Sequence, residues 1–539
     1  IGKRAAQFAF DGLNIAVIGA GIGGLAVARA LCLRGADVTL LEQAPEISEV
    51  GAGLQISPNG FAVLRALGLG DALAARSVQA QAVSLRDYRR GEVLRLDLTG
   101  LADRDYHFIH RADLIEVLAE GARDAGVKLR LMQKVSAVES GARPCVRMAN
   151  DSRFDADLVI GADGLHSVVR RALNGTLAPF FTRQVAWRAV VPNLWARGPE
   201  AQVHMGPMRH VVSYPLRGGA LLNLVAVQER AAWTEESWSQ RDDPLALRAA
   251  FGDFGPEVQA MLAAVEEVHL WGLFRHPVAR VWQRDGLALL GDAAHPTLPF
   301  MAQGASMALE DAWVLVDALS ASGGFAEGLA AYQGRREARV RRGGEAANRN
   351  AWKYHLSFPP LRWAAHGVLR AGGALAPDRM LRQFDWLYGH DVTRQAGFGG
   401  GQFAGAALFL AGVLGGVDAQ HLMRVLDAQT CPGACLGVGD AAGFTLPHLV
   451  LGHLRVQFGL GGAVKEIPFQ VIVAHMLLAE PEVIVEHIGG LGRAEFASLF
   501  AAFVIADAGR CFGGARHAPP TARILLLGRG DGHIETEGI

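Results

Sequence analysis

The chain of 539 residues has little cysteine and almost no net charge. Its five cysteines are too scattered for a disulfide framework, which favours a reducing compartment such as the cytoplasm. The formal net charge of -1 gives no acidic or basic excess, so we expect no nucleic-acid partner and no attraction to an anionic membrane. Cys431 and Cys435 form a C-x3-C pair, but no second pair of ligands lies close by, so we predict no metal site.

Long hydrophobic runs are also scarce. The first apolar run, residues 15–18, continues directly into a glycine motif, so we expect no signal peptide. Residues 398–417 carry no charge and are long enough to cross a bilayer, but their glycines weaken a helix. Membrane contact is therefore not expected. Residues 1–11, which begin with Ile rather than Met, are interpreted as an N-terminal extension.

The first chemical motif is a glycine turn between a strand and a helix. Residues 14–18 (NIAVI) have the pattern of a buried strand, and residues 19–24 fit G-x-G-x-x-G. A helix follows, and residues 38–41 form a second strand, which completes a βαβ unit. This context turns a weak motif into a strong prediction of dinucleotide binding.

The residues of this motif have separate roles. Gly19 permits the tight turn, Gly21 lets the backbone approach a pyrophosphate, and Gly24 allows the helix to pack closely on the strand. Glu42 ends the second strand, where a carboxylate accepts from ribose hydroxyls and disfavours a 2′-phosphate. The nucleotide is therefore NAD or FAD.

The remaining pattern predicts an α/β, two-domain organisation. Residues 12–180 and 275–390 form the two parts of a Rossmann-like domain, and residues 181–274 form an antiparallel sheet inserted between them. Residues 391–539 are a tail of uncertain fold. One interpretation is that they do not belong to the native protein and that its gene ended near Thr393.

Helical patterns cover residues 111–124, 303–319 and the stretch around a basic cluster. We interpret this cluster as a solvated helix face, with a phosphate or partner contact as the alternative; it comprises Arg335, Arg336, Arg339, Arg341 and Arg342.

Two later motifs decide between NAD and FAD. Gly161-Ala-Asp163-Gly164 follows one buried strand, and Leu290-Gly291-Asp292-Ala-Ala-His295-Pro296 follows another. Together with the glycine turn, they resemble the motifs of single-component FAD-dependent aromatic hydroxylases. The likeness covers about residues 14–391 and implies a fold like that of p-hydroxybenzoate hydroxylase, in which the inserted sheet, residues 181–274, binds the substrate.

The resemblance implies which residues contact FAD. Asp292 binds the ribityl chain, and Asp163 and Gly164 hold FAD and NAD(P)H near the pyrophosphate. The other implied contacts are Arg111 on the flavin, Val135 near the adenine, Gly53 near the isoalloxazine, Gly291 in the same cofactor-binding motif as Asp292, and Pro299 and Gly304 near the reactive flavin edge. Arg111 as a surface residue and Val135 as plain core remain alternatives.

The likeness is nearest to salicylate hydroxylase, 3-hydroxybenzoate 6-hydroxylase and 6-hydroxynicotinate 3-monooxygenase. Residues 210–215 match their H-x-x-x-Y-P strand, and alternation along a strand places His210 and Tyr214 on one face. Gln303 lies in a P-F-M-A-Q-G loop that matches the loop near the reactive flavin edge. Leu54-Gln55 stands where the hydroxynicotinate enzyme has a histidine, which argues against that substrate.

The implied activity is hydroxylation of a small phenolic or hydroxybenzoate-type aromatic. NADH or NADPH reduces FAD, and O2 adds to give a flavin C4a-hydroperoxide that attacks the ring. His210 is the candidate base for the phenol, Tyr214 a relay or hydrogen-bond donor, and Gln303 an orienting group. Simple core or loop packing remains the alternative for each of the three.

Two other functions stay open. One is a same-fold hydroxylase or epoxidase of an isoprenoid or quinone precursor, which a membrane-associated tail would favour. The other is a flavin-binding protein without turnover. The sequence leaves a homodimer open, and it does not define the aromatic substrate, the nicotinamide preference or whether the reaction is decarboxylating.

Overall fold

The computed structural model describes residues 10–47, 52–100, 105–176, 178–230 and 240–394, together with short strands near the C-terminus. The chain separates into two compact units, Ile1–Gly399 and Gly400–Ile539. In the second unit, Arg455–Leu460 pairs with Ala463–Pro468 and Leu527–Gly528 pairs with Ile534–Glu535, both antiparallel. The predictions for residues 398–417, Cys431 and Cys435 lie outside the described residues. Within the described ones, no helix combines the length and apolarity of a membrane span, and no cluster of His, Cys, Asp or Glu could hold a metal ion.

A six-stranded sheet carries the glycine turn. Its strands are parallel except for one edge, because the short strand Gln283–Arg284 runs antiparallel to its neighbour. In order across the sheet, they are Gln283–Arg284, Leu287–Leu289, Leu158–Gly161, Asn14–Ile18, Asp37–Leu41 and Lys128–Arg130. The central strands are buried, as their uninterrupted apolar sequences require. The predicted βαβ unit and Rossmann-like sheet are confirmed.

Three helices pack beside this sheet. Ile22–Cys32 contacts both Arg111–Asp124 and Gly304–Ala321, and its side chains are almost all buried. The predicted helices at 111–124 and 303–319 are therefore confirmed, the second with its start displaced by one residue to Gly304. Gln303 occupies the N-cap position just before that start.

An eight-stranded sheet forms the second layer, and it is larger than the sequence indicated. In order, its strands are Arg241–Asp242, Val268–Arg275, Phe180–Pro192, Leu221–Glu229, Arg209–Leu216, Glu200–Gly206, Ala82–Asp87 and Gly91–Asp97. The last two form a hairpin from the first part of the chain, and Ala82–Asp87 joins Glu200–Gly206 in parallel. The prediction that this sheet lies within residues 181–274 was therefore wrong. The hairpin satisfies the backbone groups that would otherwise form an open edge.

Smaller elements complete the first unit. One three-stranded sheet comprises Gly53–Ile56, His107–His110 and Val78–Gln79. A second comprises Arg153–Asp155, Cys145–Met148 and Val135–Glu139. The remaining helices are Pro58–Ala66, Gly70–Arg76, Val168–Asn174, Pro244–Ala250, Pro256–Ala263, Phe325–Tyr354, Pro359–Leu375, Pro377–Arg382 and Asp385–Tyr388. Short 3-10 turns lie at Arg217–Gly219, Gly291–Ala293 and Pro299–Met301.

The basic cluster is only partly solvated. Arg336 is 1% exposed, and its guanidinium pairs with Glu310 and, at 2.6 Å, with Asp311. Arg339 pairs with Glu310 at 2.7 Å. Burial alone would raise the pKa of Glu310, but Arg336 and Arg339 lower it to about 2. Interpreting the whole cluster as a solvated face was therefore wrong, because two of its arginines compensate buried carboxylates on the helix Gly304–Ala321.

Candidate active site

The glycine turn leaves open space at one of its three predicted positions. Gly19 has a φ of +98°, and a Cβ there would lie 2.6 Å from the carbonyl oxygen of Ala162. A Cβ on Gly24 would lie 1.9 Å from the carbonyl oxygen of Gly19. A Cβ on Gly21 would meet no atom within 4 Å. Gly19 and Gly24 are thus required by the fold, whereas Gly21 keeps free the space that a pyrophosphate would fill.

The strand end beside this turn presents a fixed carboxylate. Glu42 accepts hydrogen bonds from the backbone N–H of Ala20 and of Ala44, each at 2.8 Å. These contacts orient the carboxylate and leave lone pairs for further donors such as ribose hydroxyls. Val135 begins its strand buried in the core and is not among the cavity-lining residues. Its place near an adenine stays a prediction.

The Asp163-Gly164 motif builds a loop. Asp163 accepts from the hydroxyl of Ser167 at 2.5 Å and from the backbone N–H of Val168 at 2.7 Å, so it holds the N-cap residue Ser167 and the first N–H of the helix Val168–Asn174. Burial raises the pKa of Asp163, and the bond from Ser167 opposes that shift. Gly164 has a φ of +70° and lines the cavity. The carboxylate therefore shapes the loop, and Gly164 is the residue that faces a ligand.

A carboxylate and a guanidinium lie along the middle of the cavity. Gly291, with a φ of +60°, donates its N–H to Asp311 at 2.9 Å, which fixes the turn that presents Asp292. Asp292 and Arg111 both line the cavity. Burial raises the pKa of Asp292, whereas His295 and Arg111 lower it. Asp292 keeps accessible surface because it faces the cavity, so its carboxylate is placed to accept from a polar chain such as a ribityl group.

One continuous cavity of about 410 Å³ connects these features with the substrate sheet. Of the predicted site residues, those that line it are Gly21, Gly53, Arg111, Gly164, His210, Tyr214, Gly291, Asp292, Pro299, Gln303 and Gly304. Along this cavity an open glycine turn is followed by a carboxylate and then by a chamber, the part of the cavity that faces the eight-stranded sheet. This order would suit FAD with its pyrophosphate at Gly21 and its ring towards the sheet.

The sheet side of the cavity interlocks with the strand Gly53–Ile56. Gly53 donates its N–H to the side-chain oxygen of Asn223 at 2.7 Å. A Cβ on Gly53 would lie 2.6 Å from Tyr214, so glycine is required by this contact. Burial raises the pKa of Tyr214 well above its usual range, although Arg188 opposes the shift. Tyr214 is therefore a neutral hydroxyl that can donate into the cavity.

Arg188 is a cavity residue that the sequence analysis missed. It lies on the strand Phe180–Pro192, lines the cavity, and has its guanidinium carbon 3.8 Å from the centre of the Trp271 ring. Burial lowers its pKa to about 9, so it still carries a charge at neutral pH. The available signal was an arginine within the otherwise apolar run VAWRAVV. A cation on such a strand needs an anionic partner or a ring face.

His210 lies at the same end of the cavity. It is 2% exposed, and its ring centre lies 5.8 Å from that of Phe300 and 5.3 Å from that of Tyr354. Its Nδ1 lies 2.7 Å from Nε2 of His355. Burial, reinforced by His355, holds the pKa of His210 well below its usual range, so its resting form is neutral. The structure thus brings His210 and Tyr214 to one chamber.

The amide of Gln303 is engaged by the protein itself. Its Nε2 donates to the hydroxyl of Ser57 at 2.9 Å, and its Oε1 accepts from the side chain of Asn59 at 3.2 Å. Asn59 also donates to Glu310 at 2.6 Å. Gln303 lines the cavity, but these bonds hold it in the wall. It is therefore suited to positioning the loop 299–304.

Fold and site together define a flavin-dependent oxidoreductase whose cavity extends from the glycine turn to the eight-stranded sheet. The family model described as FAD binding domain matches residues 13–346. The chain is 38% identical over 361 residues to 3-amino-4-hydroxybenzoate 2-monooxygenase of Streptomyces cremeus, covering 65% of this chain and 89% of that one. It is 34% identical over 404 residues to 3-hydroxybenzoate 6-hydroxylase of Polaromonas naphthalenivorans (strain CJ2), covering 70% and 96%. The chain therefore belongs to the FAD-dependent aromatic monooxygenases.

Solved structures agree with this assignment. HpxO of Klebsiella pneumoniae, complexed with FAD and uric acid, matches with a TM-score of 0.62 and 27% identity over 70% of this chain and 97% of that one. A salicylate hydroxylase substrate complex matches with a TM-score of 0.60 at 22% identity, over 72% and 99%, and supports the fold. The cofactor is FAD, with NAD(P)H and O2 as the family's co-substrates.

Proposed function

We propose that this protein hydroxylates a hydroxybenzoate-type acid, with NADH or NADPH as reductant and O2 as oxidant. The observation that carries the proposal is one chamber that contains a guanidinium, a neutral imidazole and a neutral phenol hydroxyl, supplied by Arg188, His210 and Tyr214. Bound FAD supplies the electron transfer and the oxygen activation. The residues of this chain bind the ring, move its proton and exclude water.

Arg188 is assigned to the carboxylate of the substrate. A guanidinium presents paired N–H donors that match the two oxygens of a carboxylate. Its stacking on Trp271 fixes the plane of that fork. Two of the relatives are named for 3-amino-4-hydroxybenzoate and 3-hydroxybenzoate, and each of these compounds carries a carboxylate and a phenol. This supports a substrate with both groups.

His210 is assigned to the phenol proton. A neutral imidazole accepts a proton, and the resulting phenolate is richer in electrons at its ortho and para carbons. Those are the positions that an electrophilic oxygen attacks. Tyr214 remains protonated because burial raises its pKa, so it can donate a hydrogen bond to the phenolic oxygen.

The rest of the chamber excludes water. Its wall on the sheet side is apolar and includes Val83, Leu85, Val203, Val212 and Val225. On the opposite side, Gln303 holds the loop 299–304 through Ser57 and Asn59. A dry chamber protects a reactive oxygen species from release as peroxide and strengthens the bonds to the substrate.

Compartment and assembly are part of the same proposal. Cys32 and Cys145 are free thiols, which is compatible with the reducing cytoplasm. The helix Pro359–Leu375 exposes Trp363 and Val368, and a homodimer would cover these apolar side chains.

A panel of monohydroxybenzoates tests the activity. We expect at least one isomer to stimulate NADH or NADPH oxidation by the FAD-loaded protein and to yield a dihydroxylated product in comparable amount. Oxygen uptake and chromatography of the product measure this coupling. Benzoate without a hydroxyl is the control, because it offers no phenol to ionise. Stimulated oxidation without any hydroxylated product from the whole panel would contradict the proposal.

Replacing Arg188 with Met tests the carboxylate assignment. Loss of one charge-assisted contact, about 1.5–3 kcal/mol, raises KM for the hydroxybenzoate by roughly ten- to hundredfold. KM for a phenol that lacks the carboxylate should change much less. Arg241→Met is the control, since Arg241 lies on the same sheet in an exposed pair with Glu267. Equal increases in KM for both compounds would show that Arg188 does not bind the carboxylate.

A further inference from the structure

A chain of three titratable side chains leads from the cavity to the protein surface. His210 Nδ1 lies 2.7 Å from His355 Nε2, and His355 Nδ1 lies 2.7 Å from Glu229 Oε1. The two histidine side chains are buried, whereas the Glu229 side chain is 35% exposed. The His210 end of this chain of side chains faces the substrate chamber, and the Glu229 end reaches solvent.

We propose that His355 and Glu229 form a proton relay that connects His210 with solvent. This rests on the proposed function, in which His210 takes the phenol proton. His355 and Glu229 are positioning residues in this scheme, because neither is among the residues that line the chamber.

The acceptor at the outer end sets the direction of every hydrogen bond in the chain. An ionised Glu229 can only accept, so His355 must donate from Nδ1. Neutral His355 then presents the lone pair of Nε2, so His210 must donate from its Nδ1. Neutral His210 is thereby left with an unprotonated Nε2 for the chamber. The relay therefore holds His210 in the tautomer that a base requires.

Burial supplies the reason for a relay. The pKa of His210 lies well below its usual range because the ring is buried beside His355, so an imidazolium there is unfavourable. When Nε2 of His210 accepts the phenol proton, its Nδ1 proton passes to Nε2 of His355. The Nδ1 proton of His355 then passes to Glu229, where it exchanges with solvent. One proton enters and one leaves, and protonation of the product phenol runs the same steps in reverse.

The backbone fixes the relay in place. Met208 donates its N–H to the carbonyl of His355 at 3.1 Å, and its own carbonyl accepts from the N–H of Glu229 at 2.9 Å. One residue therefore ties the end of the helix Phe325–Tyr354 to the end of the strand Leu221–Glu229. The backbones of both relay residues are therefore held next to each other by main-chain hydrogen bonds.

Proton release on ligand binding tests the relay without turnover. FAD-loaded protein is mixed with a monohydroxybenzoate under anaerobic conditions without NAD(P)H, in weak buffer with an indicator dye in a stopped-flow instrument. The wild type should release a proton as the phenol ionises. His355→Phe and Glu229→Gln should each slow that release about tenfold or more, with Kd little changed. Glu229→Asp, which keeps a carboxylate, should recover part of the rate.

The controls separate a relay from a structural effect. Glu267→Gln removes an exposed carboxylate near the same sheet and should leave the release rate unchanged. Release at the wild-type rate in both His355→Phe and Glu229→Gln, or no release by the wild type on binding, overturns the relay. Binding with proton release but no hydroxylated product under turnover conditions refutes the proposed function and leaves the relay supported.

Discussion

Replacing Gly21 with alanine is expected to weaken FAD binding in a protein that still folds. The backbone of Gly21 has a φ of -74°, which alanine adopts without strain, and no atom of the chain lies within 4 Å of the new Cβ. The added methyl group enters the space assigned to the pyrophosphate. Overpacking at such a contact costs about 1–3 kcal/mol, roughly ten- to hundredfold in affinity. FAD content after gel filtration and the Kd from flavin fluorescence measure the loss.

The matched variant is Gly24→Ala in the same turn. Its Cβ would lie 1.9 Å from the carbonyl oxygen of Gly19, so the strand–turn–helix unit itself must distort. We expect low yield of folded protein for Gly24→Ala and normal circular dichroism for Gly21→Ala. Wild-type FAD affinity in Gly21→Ala would show that the pyrophosphate does not lie against this residue.

The second large effect is expected at the buried ion cluster formed by Arg336, Glu310 and Asp311. Arg336→Met leaves the buried carboxylates of Glu310 and Asp311 without their shared guanidinium. Removing one partner of a buried pair typically destabilises a protein by about 3–5 kcal/mol. The free energy of unfolding from urea titration measures this change. Arg335→Met is the control, because its pair with Asp317 is partly exposed and should contribute only about 0–1 kcal/mol.

The same cluster predicts acid sensitivity. Arg336 and Arg339 lower the pKa of Glu310 to about 2, below the value of about 4.3 expected in the unfolded chain. A lowered carboxyl pKa contributes stability above the unfolded value, and this contribution is lost as pH falls towards the folded value. The wild type should therefore lose stability between about pH 4.5 and 2, and Arg336→Met should lose less over that interval. If the free energy of unfolding fell equally with pH in the two proteins, the cluster would not be the cause of the acid sensitivity.

Local features of the fold were predictable from sequence. The glycine turn, the helix Arg111–Asp124 and the strand Arg209–Leu216 each depend on neighbouring residues, and their patterns indicated them correctly. The hairpin 82–97 was not placed, because strand pairing with residues 200–206 depends on a distant partner. Alternation of polar and apolar residues shows that a strand exists, but it does not identify the strand that pairs with it.

The candidate site divides in the same way. His210 and Tyr214 share a face by strand periodicity, and the structure places both in the chamber. His355 contacts His210 from 145 positions away, and no short motif signals such a pair. Five arginines in one helix look alike in sequence, so the pattern alone predicts a solvated position for Arg336. Only the packing of the helix on Glu310 and Asp311 distinguishes the buried ones.

The hairpin 82–97 has a consequence for recombination between homologues. A chimera that exchanges residues 181–274 would import only part of the sheet side of the pocket and retain the rest of that side from the host. The retained part includes Val83, Leu85, Leu96 and Leu98. The lining that the eight-stranded sheet gives this pocket therefore comes from two distant segments, and a crossover meant to transplant that lining must carry both.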